Sequence, residues 1–302
     1  MKHLIYIVLI ALLVSCGNKG GDNGKLKIVT TTSMITDMVE NIGGDQVEVE
    51  GLMGSGVDPH LYKASEGDVS KLYNADLIFY NGLHLEGKLV EVFEKMAAQG
   101  KNTVAISDGL DESTLIGSEY FASNYDPHIW FDVDYWSTMA TYVTEKLSAI
   151  DPGNAEYYTA NRDVYLEQIK VLKTELSLKI EELPQDRRIL VTAHDAFNYF
   201  GRKFGFEVVG LQGVSTATEA GVQDVQRITD FIIDNKIKAV FIESSVPRRT
   251  VEALQAAVRA QNHEVIIGGE LYSDALGSAG TPEGTYVGMY KHNVNTIVNA
   301  LK

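Results

Sequence analysis

The sequence predicts an α/β fold of two halves, each a parallel sheet covered by helices, connected by one long helix. Short β-branched segments alternate with helix-length amphipathic segments on both sides of a central region. In that region, between Pro152 and Pro184, apolar residues recur every three to four positions among charged ones. The predicted halves are therefore 26–150 and 185–302, and the connecting helix takes up 151–184.

Residues 1–15 are predicted to be a secretory leader, because a basic start precedes 11 consecutive apolar residues. A membrane-spanning helix would need about 20 such residues. The leader runs into Leu-Val-Ser-Cys, which resembles the bacterial lipobox, so Cys16 is expected to carry a lipid that anchors the mature protein to a bilayer. Cys16 is the only cysteine, which excludes intrachain disulfides and thiolate metal sites. The glycine-rich segment 16–25 is predicted to be a flexible tether.

The charge balance limits the classes of partner. The chain has 302 residues and a formal net charge of −15 at pH 7. This argues against nucleic acid as a partner and against electrostatic adhesion to anionic lipid, while it favours solubility and a weak attraction for cations.

Local patterns predict each element of the first half. Strands are expected where β-branched and apolar residues cluster, at 26–33, 47–53, 77–80 and 103–106. Helices are expected at 34–42, at 65–75 with Ser65 as N-cap, at 87–98 and at 133–150. An irregular acidic loop, 108–125, follows the fourth strand.

The connecting helix starts at Asp151-Pro152, which supplies an N-cap and a proline at the first helical position. About 30 helical residues would be about 45 Å long, so the helix is expected to cross the molecule. A coiled-coil seam is the alternative, but the apolar pattern is too short to sustain one. The second half then repeats the alternation, with strands at 188–192, 207–211, 239–242 and 265–267 and helices at 196–204, 223–235, 250–261 and 286–301.

The tripeptide Asp-Pro-His occurs twice, ending at His60 and at His128. Proline fixes φ, so each imidazole is presented from a stiff turn, and neutral imidazole is the commonest protein metal ligand. One copy alone would more often be a surface turn, but the repetition favours metal binding. Both histidines, like His194 and Asp274, come after predicted strands, at the sheet edge where open α/β folds bind ligands.

Six motifs together resemble the metal-binding lipoproteins of bacterial ABC importers, the manganese, zinc and iron solute-binding proteins: GVDPHLY (56–62), NGLHLEGKL (81–89), DPHIWFDVDYW (126–136), VTAHDAFNYF (191–200), FIESS (241–245) and YSDALG (272–277). The resemblance implies two Rossmann-like lobes joined by one long helix, with a single divalent ion between them. It also implies that the ligands are His60, His128, His194 and Asp274. Three imidazoles and a carboxylate suit Zn²⁺, Mn²⁺ or Fe²⁺. Zinc-dedicated members usually carry a histidine-rich loop between the first two ligands, and the absence of histidine from 108–125 argues against a zinc-only assignment.

Other residues near these motifs are candidates for supporting roles. Glu243 ends a predicted strand, where it either hydrogen-bonds a ligand imidazole or is an ordinary polar terminus. His84 resembles a family position near the site, and a structural role is preferred to ligation for it. For Asp126, Asp132 and Asp195, which flank ligands, local turn hydrogen bonding is the preferred interpretation.

The resemblance implies a lipid-anchored, monomeric protein of the cell envelope that faces the periplasm or the cell exterior. Its ion would pass to an ABC permease powered by an ATPase, without catalysis. A secreted zinc hydrolase is the alternative, but the sequence has no HExxH or GxSxG motif. Adhesion is a second role attached to relatives, and no repeat in this sequence supports it.

Overall fold

The first half is built on one parallel sheet in the order β2-β1-β3-β4. The computed structural model describes residues 24–119 and 121–302. The sheet consists of β1 (Leu26–Thr30), β2 (Val47–Gly51), β3 (Leu77–Tyr80) and β4 (Asn102–Ala105). Parallel strands need long crossovers, and helices supply them: α1 (Ser33–Gly43), α2 (Glu66–Asn74) and α3 (Val90–Ala98), followed after β4 by α4 (Val133–Ile150).

The second half contains two parallel strand pairs, β5 (Ile189–Thr192) with β6 (Glu207–Gly210), and β7 (Ala239–Glu243) with β8 (Ile266–Leu271). Strand β5 lies beside β7, so the two pairs form one layer. The helices of this half are α6 (Asn198–Phe204), α7 (Val222–Asp234), α8 (Arg249–Ala260) and α9 (Tyr286–Leu301). The predicted α/β class with parallel sheets is confirmed.

A single helix, α5 (Ala155–Glu181), connects the two halves over 27 residues. It packs against α1 and α4 of the first half and against α9 of the second. Its buried residues follow the predicted three- to four-residue spacing: Tyr158, Tyr165, Ile169, Leu172, Leu176 and Ile180. The prediction of one long helix is confirmed, and the helix contributes to the core of both halves.

The apolar core is continuous across the boundary between the halves. Trp136 of α4 stacks on Tyr286 of α9 with ring centroids 4.6 Å apart. The indole Nε1 of Trp136 donates to the Tyr165 hydroxyl of α5 at 2.9 Å, and the Tyr286 hydroxyl donates to the Trp130 carbonyl at 2.7 Å. Trp130, Phe131 and Trp136 are all buried. A shared aromatic core of this kind resists rotation of one half against the other.

Several predicted element boundaries are wrong. The connecting helix begins at Ala155 and not at Asp151-Pro152; Pro152–Asn154 form a separate 3-10 turn, and the Asp151 side chain does not cap α5. Two further boundaries are wrong for identifiable reasons. Helix α3 begins at Val90 and not at 87, because residues 83–89 form consecutive turns, in which Leu85 N–H donates to the Gly82 carbonyl and Leu89 N–H to the Glu86 carbonyl. The sequence predicts that strand β8 ends before Gly268, but the strand continues to Leu271. The glycines there accommodate neighbours, since a Cβ on Gly268 would lie 2.7 Å from the Ala300 side chain of α9.

The predicted leader at 1–15, Cys16 and most of the 16–25 tether lie outside the described residues. Within the part of the chain that is described, no helix is both long enough and apolar enough to cross a bilayer.

Candidate metal centre

Four buried side chains from both halves converge at one point: His60, His128, His194 and Asp274. One ligand atom from each lies within 4.8 Å of all the others. His60 Nε2 is 3.3 Å from His128 Nε2. The Asp274 carboxylate places Oδ1 at 3.5 Å from His128 Nε2 and Oδ2 at 3.3 Å from His194 Nε2. The structure therefore brings together all four residues that the sequence nominated.

The two Asp-Pro-His segments present their histidines in the same way. Asp58 Oδ1 accepts a hydrogen bond from the backbone N–H of His60 at 2.8 Å, and Asp126 Oδ1 accepts one from His128 N–H at 2.9 Å. Each aspartate thus closes a turn over the proline, whose fixed φ completes the constraint. The repeated tripeptide encodes one local structure used twice, and both copies direct an imidazole into the cleft.

Two of the three imidazoles have a carboxylate on Nδ1, the ring nitrogen that faces away from the centre. Asp126 Oδ1 lies 2.7 Å from His128 Nδ1, and Glu243 Oε2 lies 2.5 Å from His194 Nδ1. A carboxylate only accepts, so each Nδ1 carries a hydrogen and each Nε2 faces the centre. The second oxygen of Glu243 also accepts from the His194 backbone N–H at 2.8 Å. Asp126 therefore orients its histidine ring in addition to forming the predicted turn.

Asp274 reaches the site from the loop that follows β8. Ser245 Oγ donates to Asp274 Oδ2 at 3.3 Å and lies 2.9 Å from Ser273 Oγ. The Trp130 indole donates to the Ser273 carbonyl at 3.0 Å, across the boundary between the halves. The loop carrying Asp274 is thereby fixed against the loop carrying His128.

Burial and charge set the protonation of the ligands. Burial lowers the pKa of His60 to about 3, so its ring is neutral near neutral pH. Burial alone would raise the pKa of Asp274, but the neighbouring imidazoles hold it below its ordinary value and the carboxylate is ionised. Burial lowers the pKa of His194, yet the carboxylates of Glu243 and Asp274 outweigh it and raise that pKa well above its ordinary value. His194 therefore carries an extra proton in the absence of metal, and a divalent cation competes with that proton, because only neutral imidazole binds metal.

The donor set leaves polar atoms that only a further group could satisfy. Within residues 24–119 and 121–302, His194 Nε2 and Asp274 Oδ1 are buried without a hydrogen-bond partner. Leaving a buried polar atom unpaired costs about 1–3 kcal/mol. One divalent ion among the four side chains would satisfy both atoms. Three nitrogens and a carboxylate are donors that Zn²⁺ and neighbouring transition metals accept.

His84, the other supporting candidate, lies at the edge of the site. Its side chain is exposed, and its ring meets Phe121 edge-on with centroids 6.2 Å apart. The Phe121 ring is in turn 6.3 Å from that of His60. The ring of Phe121 thus contacts both the ring of His84 and the ring of His60.

Sequence reasoning missed three residues that support the His128 loop. Glu86 is 2% exposed and accepts from the Thr31 hydroxyl and from Asn81 N–H, each at 2.7 Å. The Asn81 side chain donates to the Pro127 carbonyl at 3.0 Å. Asn198, from the second half, donates to Asp126 Oδ2 at 3.0 Å. All three lie inside motifs noted for their histidines, but their roles depend mostly on partners 46 to 72 positions away in the chain.

Comparison with known proteins places this geometry in a family. The family model described as the periplasmic component A of the zinc-uptake complex, ZnuA, matches residues 28–300. The zinc-binding protein TroA of Treponema pallidum is 52% identical over 279 residues, which cover 92% of this chain and 90% of TroA. The manganese-binding lipoprotein MntA of Bacillus subtilis is 44% identical over 294 residues, which cover 96% of this chain and 95% of MntA.

The fold supports the same family assignment. The solved structure of the periplasmic zinc-binding protein TroA from Treponema pallidum superposes with a TM-score of 0.89 at 52% identity, covering 92% of this chain and 99% of TroA. The match spans both halves and the connecting helix, and the sequence match reaches nearly the full length of each relative. The chain belongs to the ZnuA family of metal-binding components of ABC uptake systems.

Proposed function

We propose that this chain captures one divalent transition-metal ion outside the cytoplasm and delivers it to the permease of an ABC importer, which a separate ATPase powers. The ligands are His60, His128, His194 and Asp274. The observation that carries this proposal is the convergence of their four buried ligand atoms within 4.8 Å of one another. The relatives, named as zinc-binding and manganese-binding proteins, support the class of cargo.

The donor chemistry ranks the candidate ions. At sites of nitrogen and oxygen ligands, affinity rises from Mn²⁺ through Fe²⁺ to Zn²⁺. The purified protein therefore binds Zn²⁺ more tightly than Mn²⁺, whichever ion the cell supplies. Both oxygens of Asp274 face imidazoles, so the site also offers more than four donor atoms to an ion that prefers a higher coordination number.

The same geometry favours binding over catalysis. Catalytic zinc sites use three protein ligands and keep a fourth position open for water. Here four side chains surround the centre, and the two carboxylates that contact ligand imidazoles from outside the cluster, Asp126 and Glu243, are each engaged by a histidine Nδ1. Neither is placed to take a proton from an attacking water. These contacts support a carrier and not a hydrolase.

The division into a lobe at 26–150, a linking helix at 151–184 and a lobe at 185–302 is part of the proposal. Helix α5 packs against helices of both halves, and the aromatic core is shared between them. Release of the ion then proceeds by movement of ligand loops and not by a large rotation of the lobes. We also propose a monomer anchored to the envelope through a lipid on Cys16.

The test is a competition titration of metal-free protein with Zn²⁺, Mn²⁺ and Fe²⁺ against a chromogenic chelator, paired with metal analysis of protein from its native source. Wild type should bind one ion per chain, and His128→Ala should lose high-affinity binding. His263→Ala is the matched control, because His263 lies outside the cluster at the end of α8. Equal affinity in wild type and His128→Ala, or no binding by wild type, would overturn the proposal.

A further inference from the structure

The three histidines of the site are not held equally. His128 and His194 are each 0% exposed and have a carboxylate on Nδ1. His60 is 4% exposed, and among the described residues no side chain hydrogen-bonds its Nδ1. Its ring orientation therefore depends on the loop that carries it, residues 54–61, here called the His60 arm.

The His60 arm has space to move. Glycines at 54 and 56 give the backbone of this turn conformational freedom, and Gly56 has a φ of +72°. A Cβ on Gly54 would meet nothing within 4 Å, whereas one on Gly56 would lie 3.3 Å from the Ser244 carbonyl of the second half. Leu61, at the end of the arm, is 48% exposed. A cavity of about 460 Å³ lies beside the arm and is lined in part by Asp58, Leu61 and Thr216. The arm is thus the ligand-bearing segment that can withdraw without disturbing the shared core.

One hydrogen bond ties the side chain of Asp58, within this arm, to the opposite half. Thr216 Oγ1, in the segment that follows β6, donates to Asp58 Oδ2 at 2.6 Å. The other oxygen of Asp58 accepts from the His60 backbone N–H. Asp58 therefore connects the His60 backbone to a hydroxyl 158 positions away in the chain. A hydroxyl donating to a carboxylate at this distance is a strong, charge-assisted contact.

We infer that Thr216 is a positioning residue whose hydroxyl holds the His60 arm closed over the bound ion and slows the escape of that ion. The inference rests on the proposed function. His128, His194 and Asp274 form a preorganised half-site to which an ion binds first. His60 joins last, and the Thr216–Asp58 hydrogen bond secures it. Release begins when this bond breaks and the arm moves toward the adjacent cavity.

The kinetics of Zn²⁺ exchange test this role. Zinc-loaded protein is mixed with excess EDTA in a stopped-flow instrument, with EDTA varied until the rate no longer depends on it. Thr216→Val keeps the shape of the side chain and removes the donor, so the dissociation rate should rise about tenfold. The association rate should be unchanged, because the half-site that receives the ion is intact. Thr216→Ser restores the hydroxyl and should return the rate toward wild type.

A matched control separates this role from a general effect on the segment. Thr218 lies two residues further on and its side chain is exposed, so Thr218→Val should dissociate Zn²⁺ at the wild-type rate. An unchanged dissociation rate in Thr216→Val, or a Thr216→Ser rate as fast as that of the valine variant, would overturn the inference while the proposed function stood. Failure of wild type to bind Zn²⁺ would overturn both.

Discussion

Replacement of Glu243 by glutamine tests how strongly the site depends on the orientation of one imidazole. Glu243 accepts two hydrogen bonds from His194, one from Nδ1 at 2.5 Å and one from the backbone N–H at 2.8 Å. Glutamine offers one acceptor and one donor in the same shape. If its oxygen serves the backbone, its amide donates to Nδ1 and moves the ring proton onto Nε2, the ligand atom. If the amide has the opposite orientation, its NH₂ group faces the buried backbone N–H of His194, and the lack of an acceptor between these two donors costs about 1–3 kcal/mol.

Either arrangement should weaken Zn²⁺ binding by about 10- to 100-fold, as replacement of a carboxylate that hydrogen-bonds a metal ligand generally does. Competition titration against a chelator measures the dissociation constant directly. Glu252→Gln is the matched control, since Glu252 forms an exposed ion pair with Arg248 on α8 and its loss should leave affinity unchanged. A Glu243→Gln protein with the wild-type dissociation constant would show that the carboxylate does not orient the ligand, and this reasoning would be wrong.

Three further predictions concern stability and anchoring. Leu172→Ala on α5 should cost about 2–5 kcal/mol of unfolding free energy because Leu172 is 0% exposed, whereas Leu178→Ala on the same helix, at 62% exposure, should cost little; equal urea midpoints would contradict this. Burial raises the pKa of Asp37 from 3.8 to about 6, so the folded protein binds more protons than the unfolded chain between these values and loses stability as pH rises through them. The unfolding free energy of Asp37→Asn minus that of wild type should therefore rise by up to about 3 kcal/mol from below pH 4 to pH 7, as measured by urea unfolding. A difference that does not change with pH would refute the assignment. Cys16→Ser should release the protein from membranes on fractionation, and unchanged membrane association would exclude a lipid on that residue.

Local patterns were sufficient for most of the fold because the elements of this chain satisfy local rules. Helix α2 has the predicted Ser65 cap, which forms a reciprocal capping box with Asp68. Helices α4 and α9 match their predicted bounds, since each has an apolar stripe and a clear start. The sequence predicts too short a β8, because glycines have low strand propensity; the strand continues through Gly268 and Gly269, and close contact with α9 requires glycine at Gly268. Such a requirement comes from a neighbour that is distant in sequence.

The candidate site shows the same limit. The turns that present His60 and His128 are encoded within three residues, so the sequence could nominate these ligands. The aspartates within these turns are held in place by groups that are not local: Asn198 is 72 positions from Asp126, and Thr216 is 158 positions from Asp58. Neither partner belongs to a residue type that signals a metal site alone. Only the folded arrangement shows that these hydrogen bonds join the two halves around the cluster.

The central claim is that one ion binds to four side chains from both halves, and anomalous diffraction from crystals of the zinc-loaded protein tests it most directly. The account predicts a single strong peak about 2.0–2.2 Å from the Nε2 atoms of His60, His128 and His194 and from the Asp274 carboxylate. A peak elsewhere, or a peak that one or more of these four side chains does not reach, would contradict the account.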